Sequence, residues 1–87
     1  MPEISIIVRT KNEERWIAHC LLMLYQQDYP NFEVILVDNA SSDNTVQVAK
    51  RFPLAAVINI DKFLPGRALN VGIRASSGRF IVCISAH

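Results

Sequence analysis

The sequence predicts an α/β fold: a Rossmann-like βαβαβαβ chain with an open parallel sheet in the strand order 3-2-1-4. Three observations carry this expectation. Four short apolar, largely β-branched runs punctuate the chain at Ile4–Val8, Phe32–Val37, Leu54–Ile60 and Phe80–Ile84, the pattern of strands buried on both faces. Between them, apolar residues recur at helical spacing. Each junction carries turn or capping residues.

The elements follow in order. Ile4–Val8 is the first strand, and Thr10-Lys11-Asn12-Glu13 supplies capping groups and acid where a helix N-terminus favours them. From Glu13 the apolar stripe is Trp16, Ile17, Cys20, Leu21 and Leu24, and the helix must end before the turn at Tyr29-Pro30-Asn31. Phe32–Val37 is the second strand. After the polar loop Asp38–Asp43, Ser42 or Asp43 caps a helix striped by Val46, Ala49 and Phe52, which Pro53 stops. Leu54–Ile60 is a third strand weakened by two alanines and Asn59. Gly66–Ala75 is a helix with Ala68, Leu69, Gly72 and Ile73 facing inward, closed by Ser76-Ser77-Gly78. Phe80–Ile84 is the fourth strand. Helical crossovers impose parallel pairing, and apolarity places strands one, two and four nearer the middle than strand three.

Composition narrows the function classes. The 87 residues, 9.8 kDa, make one small domain or a piece of a larger one; such a chain buries only about 64% of its unfolded surface. An apolar share of 51% with 20% charged residues excludes a disordered chain. The net charge of +1 argues against nucleic acid as a partner. No apolar run nears the roughly 18 residues of a membrane span, and the first, behind Pro2-Glu3, is too short for a secretory signal. Cys20 and Cys83 have no CxxC spacing and read as buried free thiols in a reducing compartment, so a cytoplasmic location is expected. Charge is split: Arg9, Lys11 and Arg15 face seven acids in residues 1–43, whereas residues 44–87 hold six cations against Asp61. This split is either solvated surface or a set of cations opposite an anionic ligand.

In open sheets of this type, ligands bind beyond the carboxyl ends of the strands where the winding reverses. That directs attention to Arg9–Glu13, Asp38–Ser42 and Ser85–His87. No GxGxxG follows strand one and no GxxxxGK[ST] occurs, which disfavours a dinucleotide site and a P-loop. His19 lies mid-helix and His87 is the last residue, so no Ser-His-Asp set assembles. What remains is a strand-end carboxylate and amide, Asp38 and Asn39, beside a helix N-terminus. They suit a polar heterocycle and ribose with phosphate nearby, or they only cap the following turn.

The whole string is more specific than any of these motifs. Ile4–Glu14 with Trp16-Ile17, then Gln27-Asp28-Tyr29-Pro30-Asn31-Phe32 through Val37-Asp38-Asn39-Ala40-Ser41-Ser42-Asp43-Asn44-Thr45, and later Gly66–Ile73 and Gly78–Val82, resemble the start of family 2 glycosyltransferases of the GT-A fold. The resemblance covers essentially all 87 residues. It implies that residues 1–87 are the N-terminal, nucleotide-sugar-binding half of an inverting glycosyltransferase of glycan or cell-envelope polysaccharide synthesis, with the acceptor half absent and no catalytic residue in this chain. Thr10, Asn12 and Glu13 would line the nucleoside pocket. Asp38-Asn39 matches the family's Asp-Asp pair; the Asn39 amide can accept from a pyrimidine N3–H and donate to a ring carbonyl. Lys62 and Arg67 lie where the family approaches the pyrophosphate, unless they are only a solvated lysine and an arginine covering apolar surface.

Two departures bear on the chemistry. Ala68-Leu69-Asn70 stands where the family often has Ala-Arg-Asn, leaving Arg67 as the nearest substitute. Ser85-Ala86-His87 stands where an Asp-x-Asp usually holds a divalent cation against the diphosphate. The resemblance therefore implies Mn²⁺ or Mg²⁺, but this triplet weakens the expectation and leaves His87 as the metal-ligating candidate. The partners implied are a pyrimidine nucleoside-diphosphate sugar and an unidentified acceptor. The rival reading is a non-catalytic nucleotide-binding or self-associating module, with homodimers formed through an open edge at strand four.

Overall fold

The computed structural model describes residues 2–28, 31–61 and 67–85. Its elements are β1 (Ile4–Thr10), α1 (Ile17–Tyr25), β2 (Phe32–Asn39), α2 (Thr45–Ala49), β3 (Ala56–Ile60), α3 (Arg67–Ala75) and β4 (Phe80–Ser85). The four strands form one sheet in the order β3-β2-β1-β4, with every pair parallel. The topology is the one expected from the sequence.

Successive strand residues point to opposite faces, and both faces of β1 and β2 are buried. On one face Val8, Val34 and Leu36 pack against Ile17 and Leu21 of α1 and Ala49 of α2. On the other, Ile7, Ile35 and Val37 join Ile60 and Ala68, and α3 covers this side. The sheet is therefore a middle layer with α1 and α2 below and α3 above. Each fully buried Ile or Leu contributes about 1.5–3 kcal/mol, so the two central strands hold most of the stability.

Three differences from the sequence expectations have physical causes. Helix α1 begins at Ile17 and not at Glu13, because the Glu13 carbonyl accepts from both Trp16 and Ile17 N–H groups (2.9 and 2.8 Å), which closes a tight turn first. Trp16, placed on the buried stripe by its spacing, is 52% exposed. On α3 only Ala68 and Gly72 are buried, while Leu69 and Ile73 are left exposed. A Cβ at Gly72 would stand 2.6 Å from Ile7 Cγ2, so the helix touches the sheet along its smallest residues and the bulkier neighbours turn outward. As the expected order requires, β4 is an edge strand. Helix α3 packs chiefly on β1, β2 and β3, which leaves Phe80, Ile81 and Val82 exposed. Cys83 is exposed as well, and Cys20 is half-buried; both are free thiols.

A polar network closes the amino ends of the strands. Ser5 is fully buried and donates from Oγ to Glu33 Oε2 (2.5 Å), which also accepts from the Ser77 N–H (2.7 Å) and hydroxyl (3.0 Å). The Gly78 N–H donates to Ser5 Oγ (2.8 Å). Burial pushes the Glu33 carboxyl up, but the hydrogen bonds from Ser5 and Ser77 outweigh it and hold the group below its ordinary value of 4.5. A carboxyl lowered in the folded state stabilises it at pH values above the unfolded pKa. That contribution disappears as pH falls through the folded pKa. Thermal unfolding followed by circular dichroism should thus show a melting temperature that is flat from pH 7 to about 5 and drops on further acidification. Glu33→Gln should flatten part of that acid limb. An unchanged limb in the variant would show that Glu33 does not contribute to it.

Candidate nucleotide site at the strand ends

The site grows out of the carboxyl ends of β1 and β2, which run to Thr10 and Asn39, two residues past where the apolar runs end. Register pairs Arg9 with Val37 on one side and Ser85 on the other, Thr10 with Asp38, and Asn39 with Ile60. Alternation then separates Asp38 from Asn39. Asp38 shares the α1/α2 face with Thr10, whereas Asn39 shares the α3 face with Arg9, Val37, Ile60 and Ser85.

The loops beyond these strands are stitched to one another. Asn12 and Ala40 both take the left-handed conformation, each at φ 51°, which asparagine tolerates and which costs alanine about 1–2 kcal/mol. The turn at Asn12 lets its backbone N–H donate to Ser41 Oγ (2.8 Å) while its side-chain carbonyl accepts from the Ser42 N–H (2.7 Å) and hydroxyl (3.3 Å). Asp38, 2% exposed, accepts from the Ser41 N–H (2.9 Å) and hydroxyl (2.6 Å). Further out, fully buried Thr45 accepts from the Glu13 N–H at 2.8 Å and donates its hydroxyl to Asp43. Asp43 also accepts from the Thr45 N–H (2.9 Å) and the Glu14 N–H (3.2 Å). Slight burial pushes the Asp43 carboxyl up, yet the bonds from Thr45 and Glu14 leave it below its ordinary value.

This stitching frames a cavity of about 470 Å³ on the α3 side, within the range of small-ligand pockets. Thr10, Asn12, Glu13 and Asn39 line it, as do Arg9, Lys11 and Ser85. Val37, Ile60 and Ala68 give it an apolar floor. Thr10 Oγ1, on the α1/α2 face with Asp38, is buried and has no hydrogen-bond partner among the described residues. Asp38 does not reach the lining; it holds Ser41 behind it. Arg67 is exposed at the start of α3, one residue before Ala68. Lys62 and His87 lie outside the described residues. As cations for the site the sequence singled out Lys62 and Arg67, whereas among the described residues the cations lining the cavity are Arg9 and Lys11. The signal for Arg9 was its parity: it sits two residues beyond Ile7 on the same face of β1.

Comparison with known proteins decides the family. The model of glycosyl transferase family 2 matches residues 5–87. The chain belongs to glycosyl transferase family 2. A dolichyl N-acetyl-α-D-glucosaminyl phosphate 3-β-D-2,3-diacetamido-2,3-dideoxy-β-D-glucuronosyltransferase of Methanococcus voltae is 36% identical over 97% of this chain and 29% of its own length. Among solved structures, the family member TarS of Staphylococcus aureus in complex with UDP superposes with a TM-score of 0.88 at 32% identity, covering 97% of this chain and 27% of that one. The mannosyltransferase PcManGT of Pyrobaculum calidifontis, in complex with GDP-mannose and Mn²⁺, gives 0.83 at 32% identity over 97% and 27%. The fold is that of GT-A glycosyltransferases. This chain spans under a third of the length of each of these relatives. No helix of the described residues is long and apolar enough to cross a membrane.

Divalent cations accompany the family fold in PcManGT, so the donor set at β4 is tested against one. Mg²⁺ and Mn²⁺ favour carboxylate oxygens. At the end of β4 the described donor is the neutral hydroxyl of Ser85, which already accepts from Arg9 Nη2 at 2.7 Å. No cluster of three His, Cys, Asp or Glu side chains with metal-binding geometry occurs among the described residues. The described residues do not fit a divalent ion.

Proposed function

We propose that this chain binds the nucleoside-diphosphate portion of a sugar donor, serving as the nucleotide-binding half of an inverting glycosyltransferase of glycan or cell-envelope polysaccharide synthesis. The observation that carries the reading is that Thr10, Asn12, Glu13 and Asn39 line one cavity at the carboxyl ends of β1 and β2. A sheet of this winding presents its ligands there. The fold neighbours TarS and PcManGT, in complexes with UDP and GDP-mannose, support the ligand class.

In this reading the base lies over the apolar floor of Val37 and Ile60. The Asn39 side-chain carbonyl accepts from a pyrimidine N3–H, and its NH₂ group donates to a ring carbonyl. The Asn12–Ser42 and Glu13–Thr45 bonds fix the loops before the ligand arrives, so less ordering entropy is lost on binding. Sugar transfer is a direct displacement at the anomeric carbon: a base takes the acceptor hydroxyl proton and the nucleoside diphosphate leaves. This chain's part is to hold the leaving group; no base for the acceptor is assigned to it. The free thiols suit a reducing, cytoplasmic setting.

Titration calorimetry tests the reading. UDP should bind, with GDP at least about tenfold weaker if Asn39 reads a pyrimidine edge. A protein that binds neither nucleotide and sediments as a dimer at tens of micromolar would instead be the self-associating module, using the exposed Phe80, Ile81 and Val82 of β4.

A further inference from the structure

The Arg9–Ser85 contact has no part in base recognition, yet it forms a wall of the same cavity. Arg9 is exposed, lies on the α3 face of β1 and donates from Nη2 to Ser85 Oγ at 2.7 Å. Both residues line the cavity with Asn39. We propose that Arg9 is the cationic ligand of the donor's diphosphate, oriented by Ser85, and that it takes the place of a divalent cation at the end of β4. This rests on the nucleotide-sugar reading above.

Placement supports it first. Arg9 pairs with Val37, so it stands one strand across and two residues back from Asn39. With about 3.3 Å per residue and 4.8 Å between strands, the two backbones are roughly 8 Å apart. A nucleotide whose base meets Asn39 can thus extend its phosphates towards the long Arg9 side chain on the same face.

Chemistry supports it second. A guanidinium carries five N–H donors in a rigid fork matched to phosphate oxygens. The bond to Ser85 engages one of them and fixes the plane of the fork, so less rotamer freedom is lost when an anion binds. A divalent ion on Ser85 Oγ would meet a like charge already bonded to that oxygen, with no carboxylate on β4 within the described residues to offset its dehydration. The arrangement suits an anion and disfavours a metal ion.

Calorimetry on the full 87-residue chain with two probes, UDP and uridine, tests the assignment, each in EDTA and again in Mn²⁺. In EDTA the native chain should bind UDP at least about tenfold more tightly than uridine, since charge-assisted hydrogen bonds are the strong ones. Arg9→Gln should reduce UDP affinity about tenfold, to the uridine level, and leave uridine binding unchanged. Arg9→Lys should restore part of the difference, and Ser85→Ala should lower UDP affinity a few-fold through the lost orientation. Mn²⁺ should change the native UDP affinity by less than about twofold. The proposal is overturned if Arg9→Gln binds UDP as tightly as the native chain. It is equally overturned if Mn²⁺ strengthens native UDP binding about tenfold, or if Arg9→Gln loses uridine along with UDP. A native chain that binds neither probe would defeat the nucleotide reading itself, and this inference with it.

Discussion

Replacing Asn39 with leucine is expected to weaken UDP binding by about tenfold to a hundredfold while leaving the melting temperature nearly unchanged. Leucine has a similar volume and suits a strand packed beside Val37 and Ile60, so the fold keeps its contacts. What is lost is an amide that accepts and donates at the cavity wall. A base edge buried against leucine leaves its own polar groups unpaired, and each such loss costs about 1–3 kcal/mol. Neighbouring Asp38 should behave in the opposite way. It is buried on the other face and accepts both the N–H and the hydroxyl of Ser41, so Asp38→Ala should lower the melting temperature first. Calorimetry and thermal melts of the two variants separate a binding residue from a framework residue. Equal UDP affinity in native and Asn39→Leu proteins would remove Asn39 from the site.

The second large effect is expected at the opposite end of the sheet. A Cβ on Gly78 would stand 2.6 Å from both the backbone nitrogen and the hydroxyl of Ser5, and 2.8 Å from the Ile4 carbonyl carbon. Gly72 has contacts as short, but its neighbours are the side-chain atoms of Ile7. A side chain can change rotamer, and alanine gains about 1 kcal/mol of helix propensity over glycine, which offsets part of the crowding at Gly72. At Gly78 the obstacle is the first paired stretch of β1, which cannot move without breaking the Ser5–Glu33–Ser77 network. Gly78→Ala should therefore destabilise by about 3 kcal/mol and Gly72→Ala by less. For a chain of this size that is a fall of about 10–20 °C in melting temperature. Urea midpoints of the two variants check the ranking. The reverse order would mean that the turn before β4 can move away from β1.

The sheet was legible because its signals are local. β-branched runs such as Val34–Val37, buried on both faces, admit few alternatives, and helical connections force parallel strands. Edges and ends were less legible for physical reasons. The expected order already made β4 an edge, but its apolar content resembles that of a central strand, and only the placement of α3 over β1, β2 and β3 reveals how much of it stays exposed. Helix α1 starts late because a backbone turn at Glu13 competes with the helix, and propensity does not encode that competition. At the site, the strand-end residues Thr10, Asn12, Glu13 and Asn39 could be picked out individually. Their partition could not, because it depends on β1 and β2 continuing past their apolar runs, which sends Asp38 and Asn39 to opposite faces. The Asn12–Ser42 and Glu13–Thr45 bonds span about 30 residues of sequence, beyond the reach of any local pattern. The pairing of Arg9 with Ser85 was hidden for the same reason: the two are 76 residues apart.

The central claim is that a nucleoside diphosphate occupies the cavity at the carboxyl ends of β1 and β2. Backbone amide NMR of the 87-residue chain during a UDP titration tests it most directly, because it reports position as well as affinity. The account predicts saturable shifts at Arg9 to Glu13, Asn39 to Ser42 and Ser85, with the amino-end network of Ser5, Glu33, Ser77 and Gly78 unmoved. Shifts confined to that amino end or to the exposed face of β4, with Thr10 to Glu13 and Asn39 silent, would contradict it.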